Sequence, residues 1–172
     1  MIIKGIRDED FTQYKKPAMF VIFPSCSWKC EKECGERVCQ NSALAQSPNI
    51  EVNVEDIVDR YIRNPITSAI VIGGLEPFDN FMDLLYLIEG LRNKNQDDIV
   101  IYTGYTEDEL ETGWFEVGNR PTKTRKWGYD TLKQFPNITV KFGRYIPNQQ
   151  PHFDEVLGVS LISDNQYARR IS

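Results

Sequence analysis

The cysteines of this chain are confined to one short stretch. The segment "CSWKCEKECGERVC", residues 26–39, holds all four of them in the spacing Cys-x3-Cys-x3-Cys-x4-Cys, and the single histidine, His152, lies far along the sequence. Thiolates at this density are typical of a metal site, because soft sulfur donors are preferred by iron–sulfur clusters and are common ligands of zinc. The spacing therefore predicts a metal bound by residues 26–39.

The kind of metal is less tightly constrained by the spacing. Structural zinc usually takes two separated pairs of cysteines, often with histidine, and no second pair stands elsewhere in the sequence. Pro24, Gly35 and the interleaved charges favour a loop for the cysteine segment, and a loop with several thiolates after a strand suits an iron–sulfur cluster. A structural zinc site and reactive surface thiols remain the alternatives.

Two further motifs follow apolar runs. "GGLEP", residues 73–77, offers a backbone without side chains at Gly73 and Gly74, which a ligand could approach closely, and Glu76 could accept hydrogen bonds from an ammonium group. The same glycines could simply form a turn. "YTGY", residues 102–105, places Tyr102 and Thr103 either in a pocket wall or in the core.

The elements that must position these motifs alternate between strand and helix patterns. Short apolar runs predict strands at 19–24, 68–74, 98–104, 138–146 and 155–162. Helical periodicity predicts helices within 53–65, with Asn53 as the N-cap, and within 79–93, with Asp79 placed to cap it. Beyond residue 105 we expect a short helix, a mobile or irregular middle that includes 111–126, and a helix around 127–135.

This alternation predicts an α/β fold with a mainly parallel sheet covered by helices. About five strands are too few for an eight-fold barrel, so an incomplete βα barrel is expected, in one domain spanning 1–172. In such folds the carboxyl ends of the strands gather the functional loops. The cysteine segment, "GGLEP" and "YTGY" each follow a predicted strand, so all three should border one pocket.

Composition excludes several partners. The chain has 20 basic and 25 acidic residues, a net charge of −5 and no basic stripe, which argues against nucleic acid. Its apolar runs fall short of the ~18 residues of a membrane span, and "MIIKGIRDEDF" lacks the apolar core of a signal peptide. We therefore expect a cytoplasmic protein whose cysteines are thiolates or metal ligands.

Taken together, the motifs resemble the radical S-adenosylmethionine (SAM) superfamily and, more narrowly, the activating proteins of anaerobic ribonucleotide reductase. The resemblance is carried by Cys26 and Cys30, "CQN" at 39–41, "GGLEP", "IVIYTGYTEDEL" at 99–110 and "GVSLISDNQ" at 158–166. The family pattern is Cys-x3-Cys-x2-Cys, but position 33 is Glu33 here. Cys39 is favoured as the third ligand because "CQN" matches the family's last ligand, with Cys34 as the alternative, and Leu75 interrupts the family's Gly-Gly-Glu-Pro turn.

The resemblance implies a function and a set of roles. Three cysteines would hold a [4Fe–4S] cluster and leave one iron for SAM, and reduction of the cluster would cleave SAM to give a 5′-deoxyadenosyl radical. Gly73, Gly74 and Glu76 would bind the methionine amino group, with Tyr102 and Thr103 in the pocket wall. Asn41 would orient the cluster loop. The implied partners are anaerobic ribonucleotide reductase, or another glycyl radical enzyme, and an electron donor such as flavodoxin.

Two other classes stay open on the sequence alone. One is a radical SAM enzyme that acts on a small molecule or a peptide, since the inserted cysteine segment and 111–126 could shape a different substrate surface. The other is a zinc-binding interaction domain without catalysis. The metal content of anaerobically purified protein would separate the second class from the rest.

Overall fold

The computed structural model of the chain describes residues 1–117 and 120–172. The strands are β1 (Ile2–Ile3), β2 (Gly5–Asp10), β3 (Ala18–Phe23), β4 (Ile50–Glu51), β5 (Ala69–Gly74), β6 (Asp98–Tyr102), β7 (Trp114–Val117), β8 (Arg120–Thr124), β9 (Ile138–Phe142), β10 (His152–Asp154), β11 (Val159–Leu161) and β12 (Tyr167–Arg170). The helices are α1 (Lys29–Cys34), α2 (Ser42–Gln46), α3 (Val54–Arg63), α4 (Phe81–Arg92), α5 (Glu107–Thr112) and α6 (Arg125–Leu132), with a 3-10 turn at Pro77–Asn80.

A six-stranded sheet in the order β12-β9-β6-β5-β3-β2 forms the centre of the fold. Its four inner strands, β3, β5, β6 and β9, are parallel to their neighbours, while β2 and β12 pair antiparallel at the two edges. The predicted α/β fold with a mainly parallel sheet is thereby confirmed. The incomplete βα barrel remains a prediction.

The two faces of this sheet bury different amounts of apolar surface. All five residues of β9 are buried, as expected for an inner strand covered on both sides. The larger core lies between the sheet and helices α3, α4 and α6, and the smaller one covers the opposite face. Buried side chains of the smaller core are those of Tyr14, Ala18, Ala69, Val71, Val100, Leu157, Leu161 and Ala168.

The two long helices form as their periodicity predicts. In α3, Ile57, Val58 and Tyr61 are buried, and acidic residues in the first turn and basic ones in the last turn complement the helix dipole. Asn53 does occupy the N-cap position, but its side chain makes no capping hydrogen bond. Asp79 is not a cap of α4, because it lies in the 3-10 turn before that helix.

Several predicted boundaries were wrong. The strand expected at 138–146 ends at Phe142, where Gly143 adopts a φ of 89° that turns the chain away. The strand expected at 155–162 is the shorter β11, which pairs with β10 outside the central sheet. The irregular middle expected in 111–126 contains the antiparallel pair β7 and β8; residues 118 and 119 lie outside the described residues. The helix expected around 127–135 is α6.

The edge strands β2 and β12 were not predicted, because alternating charges hide their periodicity. Within the described ranges of the chain, none of the helices combines the length and the apolar character needed to cross a bilayer.

Candidate metal centre

The cysteine segment leaves the carboxyl end of β3, at the same edge of the sheet as the turns after β5 and β6. Its first part is helical and not a loop as predicted: α1 carries Cys30 and Cys34 one turn apart. Trp28 precedes this helix with a φ of 57°, and Gly35 ends it. All four cysteines are free and partly exposed.

Two of the four thiols have a raised pKa. Burial raises the pKa of Cys26 to about 12, and Glu76, Asp79 and Cys30 raise it further by their negative charge. Burial also raises the pKa of Cys30, and Cys39 adds to that rise.

Among the residues that the structure describes, no three Cys, His, Asp or Glu side chains have the arrangement of a metal site. The donor chemistry, four thiols within fourteen residues, fits an iron–sulfur cluster nonetheless. We therefore assign a metal to this segment because it has four thiols and lies at the carboxyl edge of the sheet. The described side chains of the segment are not arranged around a common point.

Glu76 joins the turn after β5 to the turn after β6. Its Oε1 accepts hydrogen bonds from the backbone amide of Phe78 at 3.0 Å and from Thr103 Oγ1 at 2.8 Å, and its Oε2 accepts one from the amide of Gly104 at 2.8 Å. The residue is buried, and burial raises the pKa of Glu76 to about 7. One lone pair of Oε2 remains for a further donor, because a carboxylate accepts about four hydrogen bonds.

Asp79 connects these two turns to the cysteine segment. Its Oδ2 accepts a hydrogen bond from the amide of Ser27 at 2.6 Å, and its Oδ1 accepts one from the Tyr105 hydroxyl at 2.6 Å. Sequence reasoning treated Asp79 as a helix cap and missed this role. The available signal was its place directly after "GGLEPF", at the edge where the loops were expected to meet.

Gly73 and Gly74 lie where neighbouring side chains leave little room for a larger residue. A Cβ added to Gly73 would lie 3.1 Å from the Cβ of Tyr102, and one added to Gly74, whose φ is 85°, would lie 2.5 Å from Ile22 Cγ2. The carbonyl of Gly74 accepts a hydrogen bond from Asn41 Nδ2 at 2.6 Å. Asn41 also donates its backbone amide to Cys39 Sγ at 3.3 Å, so it links the end of the cysteine segment to the glycine turn.

Tyr102 and Thr103, the residues predicted to line the pocket wall, both make hydrogen bonds within the protein. Tyr102 donates its hydroxyl to the carbonyl of Gln13 at 2.6 Å, and burial raises its pKa. Thr103 is buried against Glu76. Tyr102 also packs against the smaller core.

Ion pairs hold α1 against the rest of the molecule. Arg144 Nη2 lies 2.7 Å from Glu109 Oε2, and Arg144 Nη1 lies 3.3 Å from Glu33 Oε2. Lys29 pairs with Glu109 as well. Glu33 is thus an attachment point of α1. Nothing in the sequence around Arg144 indicated this contact.

A groove of about 580 Å³ lies elsewhere, between β1, β4 and α3. It is lined by Ile3, Ile6, Ile50, Glu51, Val52, Asn53, Asp56, Ile57 and Arg60, none of which is a predicted site residue.

Fold and site together define an α/β protein that presents a cysteine-rich segment at the carboxyl edge of a parallel sheet. The chain belongs to the family of 4Fe–4S single cluster domains, whose family model matches residues 17–122. It is therefore an iron–sulfur protein, and the matched range includes all the predicted ligands and cofactor-binding residues. Neither the curated proteins nor the solved structures contain a significant match to the chain.

Proposed function

We propose that this protein is a radical SAM activating enzyme that installs a glycyl radical on a partner enzyme. The observation that carries the proposal is the joining of three loops, each following a parallel strand, around Glu76 and Asp79 beside the cysteines. The matched family, which is found in radical SAM-type activases, is consistent with a redox enzyme.

Cys26, Cys30 and Cys39 are the proposed ligands of a [4Fe–4S] cluster. Cys39 is favoured over Cys34 because "CQN" at 39–41 carries the resemblance to the last ligand and because Asn41 hydrogen-bonds its loop to the carbonyl of Gly74. Cys34, one turn from Cys30 on α1, is the alternative third ligand.

When bound, such a cluster would supply the electron for reductive cleavage of SAM into methionine and a 5′-deoxyadenosyl radical. The chain's own residues hold and orient the substrate. The methionine moiety would lie at the turn that holds Glu76, and the remaining lone pair of Glu76 Oε2 would accept from its ammonium group. Tyr102 and Thr103 would wall the pocket and exclude water from it.

The partner follows from the resemblance at 99–110 and 158–166. Anaerobic ribonucleotide reductase is the proposed glycyl radical enzyme, with a donor such as flavodoxin supplying electrons.

The proposal is tested by anaerobic reconstitution with iron and sulfide, followed by incubation with SAM and dithionite. We expect roughly four irons per chain, formation of 5′-deoxyadenosine, and a glycyl radical signal on an added reductase by electron paramagnetic resonance. Zinc without iron would overturn the proposal. Cleavage of SAM without a radical on any candidate partner would favour a small-molecule or peptide substrate.

The ligand assignment has its own test. Cys34→Ala should retain the iron of the wild type, whereas Cys39→Ala should lose it. The reverse result would make Cys34 the third ligand.

A further inference from the structure

Tyr105, the last residue of "YTGY", is a buried tyrosine whose hydroxyl is fully hydrogen-bonded. It lies in the turn after β6 and is 3% exposed. The hydroxyl donates to Asp79 Oδ1 at 2.6 Å and accepts from Arg125 Nη2 at 3.2 Å, and Ser27 Oγ lies 3.3 Å from it. Because a hydroxyl has one donor and two acceptor positions, these three neighbours occupy all of them.

Two cations lie close to the Tyr105 ring. Lys29 Nζ is 5.4 Å and Arg125 Cζ is 4.3 Å from the ring centroid, both within the ~6 Å reach of a cation–π attraction. Arg125 is the first residue of α6, and its backbone amide donates to the carbonyl of Gly113 at 2.7 Å. The guanidinium group therefore reaches Tyr105 from an element that lies beyond the matched family range of 17–122.

Tyr105 meets the cysteine segment at two points, and each point is next to a proposed ligand. Ser27, beside the hydroxyl, directly follows Cys26. Lys29, beside the ring, directly precedes Cys30. One rigid side chain from another loop is thereby close to both ends of the span that separates the two thiols.

Apolar packing does little to fix this part of the chain. Residues 24–50, which the structure describes throughout, include no buried residue, so hydrophobic burial contributes little to their position. The hydrogen bonds run from the guanidinium of Arg125 through the Tyr105 hydroxyl to the carboxylate of Asp79, and the charges at both ends strengthen them. Asp79 also accepts from the amide of Ser27, so this chain of hydrogen bonds ends on the backbone of the cysteine segment.

We propose that Tyr105 is a positioning residue for the cluster, which sets the distance between the Cys26 and Cys30 thiolates, and that Arg125 holds Tyr105 in place. Groups that orient metal ligands influence both the retention of the metal and its electronic properties. This inference rests on the cluster ligands of the proposed function and does not depend on the chemistry of SAM. It can therefore be tested on the iron-loaded protein alone.

The test compares Tyr105→Phe with Tyr61→Phe. Tyr61 is a matched control, because it is also 3% exposed and its hydroxyl also donates to an aspartate, Asp97 at 2.7 Å, just before β6 at the amino edge of the sheet. Release of iron to a chelator should be about 10-fold faster in Tyr105→Phe, the effect of losing one hydrogen bond to a charged group. In Tyr61→Phe the rate should stay within about twofold of the wild type, since that site is remote from the cysteines. Electron paramagnetic resonance of the reduced cluster should show altered g values in Tyr105→Phe alone, a change that a general loss of stability does not produce.

Circular dichroism shows whether each variant folds, and Arg125→Met takes the place of Tyr105→Phe if the latter does not fold. Arg125→Met removes the cation but leaves the bond to Asp79, so iron release should be about threefold to 10-fold faster. A folded Tyr105→Phe protein that takes up no iron, while Tyr61→Phe does, would also support the inference.

A wild-type release rate and spectrum in the folded variant, or an equal acceleration in Tyr61→Phe, would overturn the inference while the proposed function stands. Zinc without iron in the wild type would overturn both. Iron release as expected, together with no cleavage of SAM, would overturn the proposed function alone.

Discussion

Glu76 shows how much a single side chain contributes to this site. Three donors from two loops converge on its carboxylate, which keeps the loops after β5 and β6 in fixed register. Its burial nonetheless disfavours the charged form. The free energy of unfolding of the protein therefore depends on the ionisation of Glu76.

The pH dependence of this linkage has a definite sign. The pKa of Glu76 rises from an ordinary 4.5 to about 7 on folding, so between these values the folded protein keeps a proton that the unfolded chain loses. The free energy of unfolding should fall as pH rises from 4.5 to 7, by up to about 3 kcal/mol from this group. Urea unfolding of metal-free protein at pH 5 and pH 7.5 should show this fall in the wild type and not in Glu76→Gln.

Glu89→Gln, at an exposed position of α4, is the matched control and should follow the wild type. Parallel curves for the wild type and Glu76→Gln would contradict the assignment of this pH dependence to Glu76.

Sequence alone revealed some of these residues and not others. The cysteines and Glu76 stand in local patterns that can be recognised by spacing. Asp79 and Arg144 acquire their roles from partners that are distant in sequence: Tyr105 lies 26 positions from Asp79, and Glu33 lies 111 positions from Arg144. No local sequence pattern indicates these contacts, because they depend on which strands become neighbours in the sheet.

At the scale of elements, the inner parallel strands were predictable because continuous apolar runs mark strands buried on both faces. The edge strands β2 and β12 were not predictable, because a strand such as "GIRDED" is stabilised by pairing with its neighbour and not by burial of an apolar run. The cysteine helix α1 escaped prediction because its six residues bury no apolar face.

The turn at the end of β5 allows a prediction about glycine. Gly74→Ala combines a left-handed backbone with a clash against Ile22, and should destabilise the protein by about 2–4 kcal/mol. Gly35→Ala has a similar φ of 74° but nothing within 4 Å of the added Cβ, and should cost about 1 kcal/mol. Urea unfolding of both variants separates the clash from the backbone strain, and equal costs would show that the clash is relieved by a small shift.

The ion pairs of α1 should control its local opening. Glu33→Gln removes one partner of Arg144, and exposed pairs of this kind contribute about 0.2–1 kcal/mol. Tryptic cleavage at Lys32 and Arg37 should accelerate by about twofold to fivefold, and 0.5 M salt, at roughly three times physiological ionic strength, should bring the wild type towards the variant.

Glu36→Gln, just beyond α1 and exposed, serves as the control and should be cleaved at the wild-type rate. If both variants are cleaved alike, the pair with Arg144 does not restrain α1.

At the scale of the whole molecule, the core and the metal segment are separate. Residues 24–50, all of them described, include no buried residue, whereas the sheet and its helices supply the two apolar clusters. Hydrophobic burial, the dominant stabilising contribution, therefore does not depend on the cysteines.

A variant that lacks Cys26, Cys30 and Cys39, each replaced by alanine, should accordingly fold. We expect a circular dichroism spectrum like that of metal-free wild type and a melting temperature within a few degrees of it, since no core contact is lost. A non-cooperative melting curve would show that the cysteine segment contributes to the core after all.

Because the core and the metal segment are separate, the chain should fold before the cluster is inserted. We expect the polypeptide to reach its final shape on leaving the ribosome and to be matured afterwards, by a carrier that delivers iron and sulfide to a finished scaffold. Oxygen would then destroy the cluster but leave the polypeptide folded. The same polypeptide could receive iron and sulfide again once oxygen is removed. Repeated cycles of air exposure and anaerobic repair should regenerate the iron content of the same molecules without new synthesis.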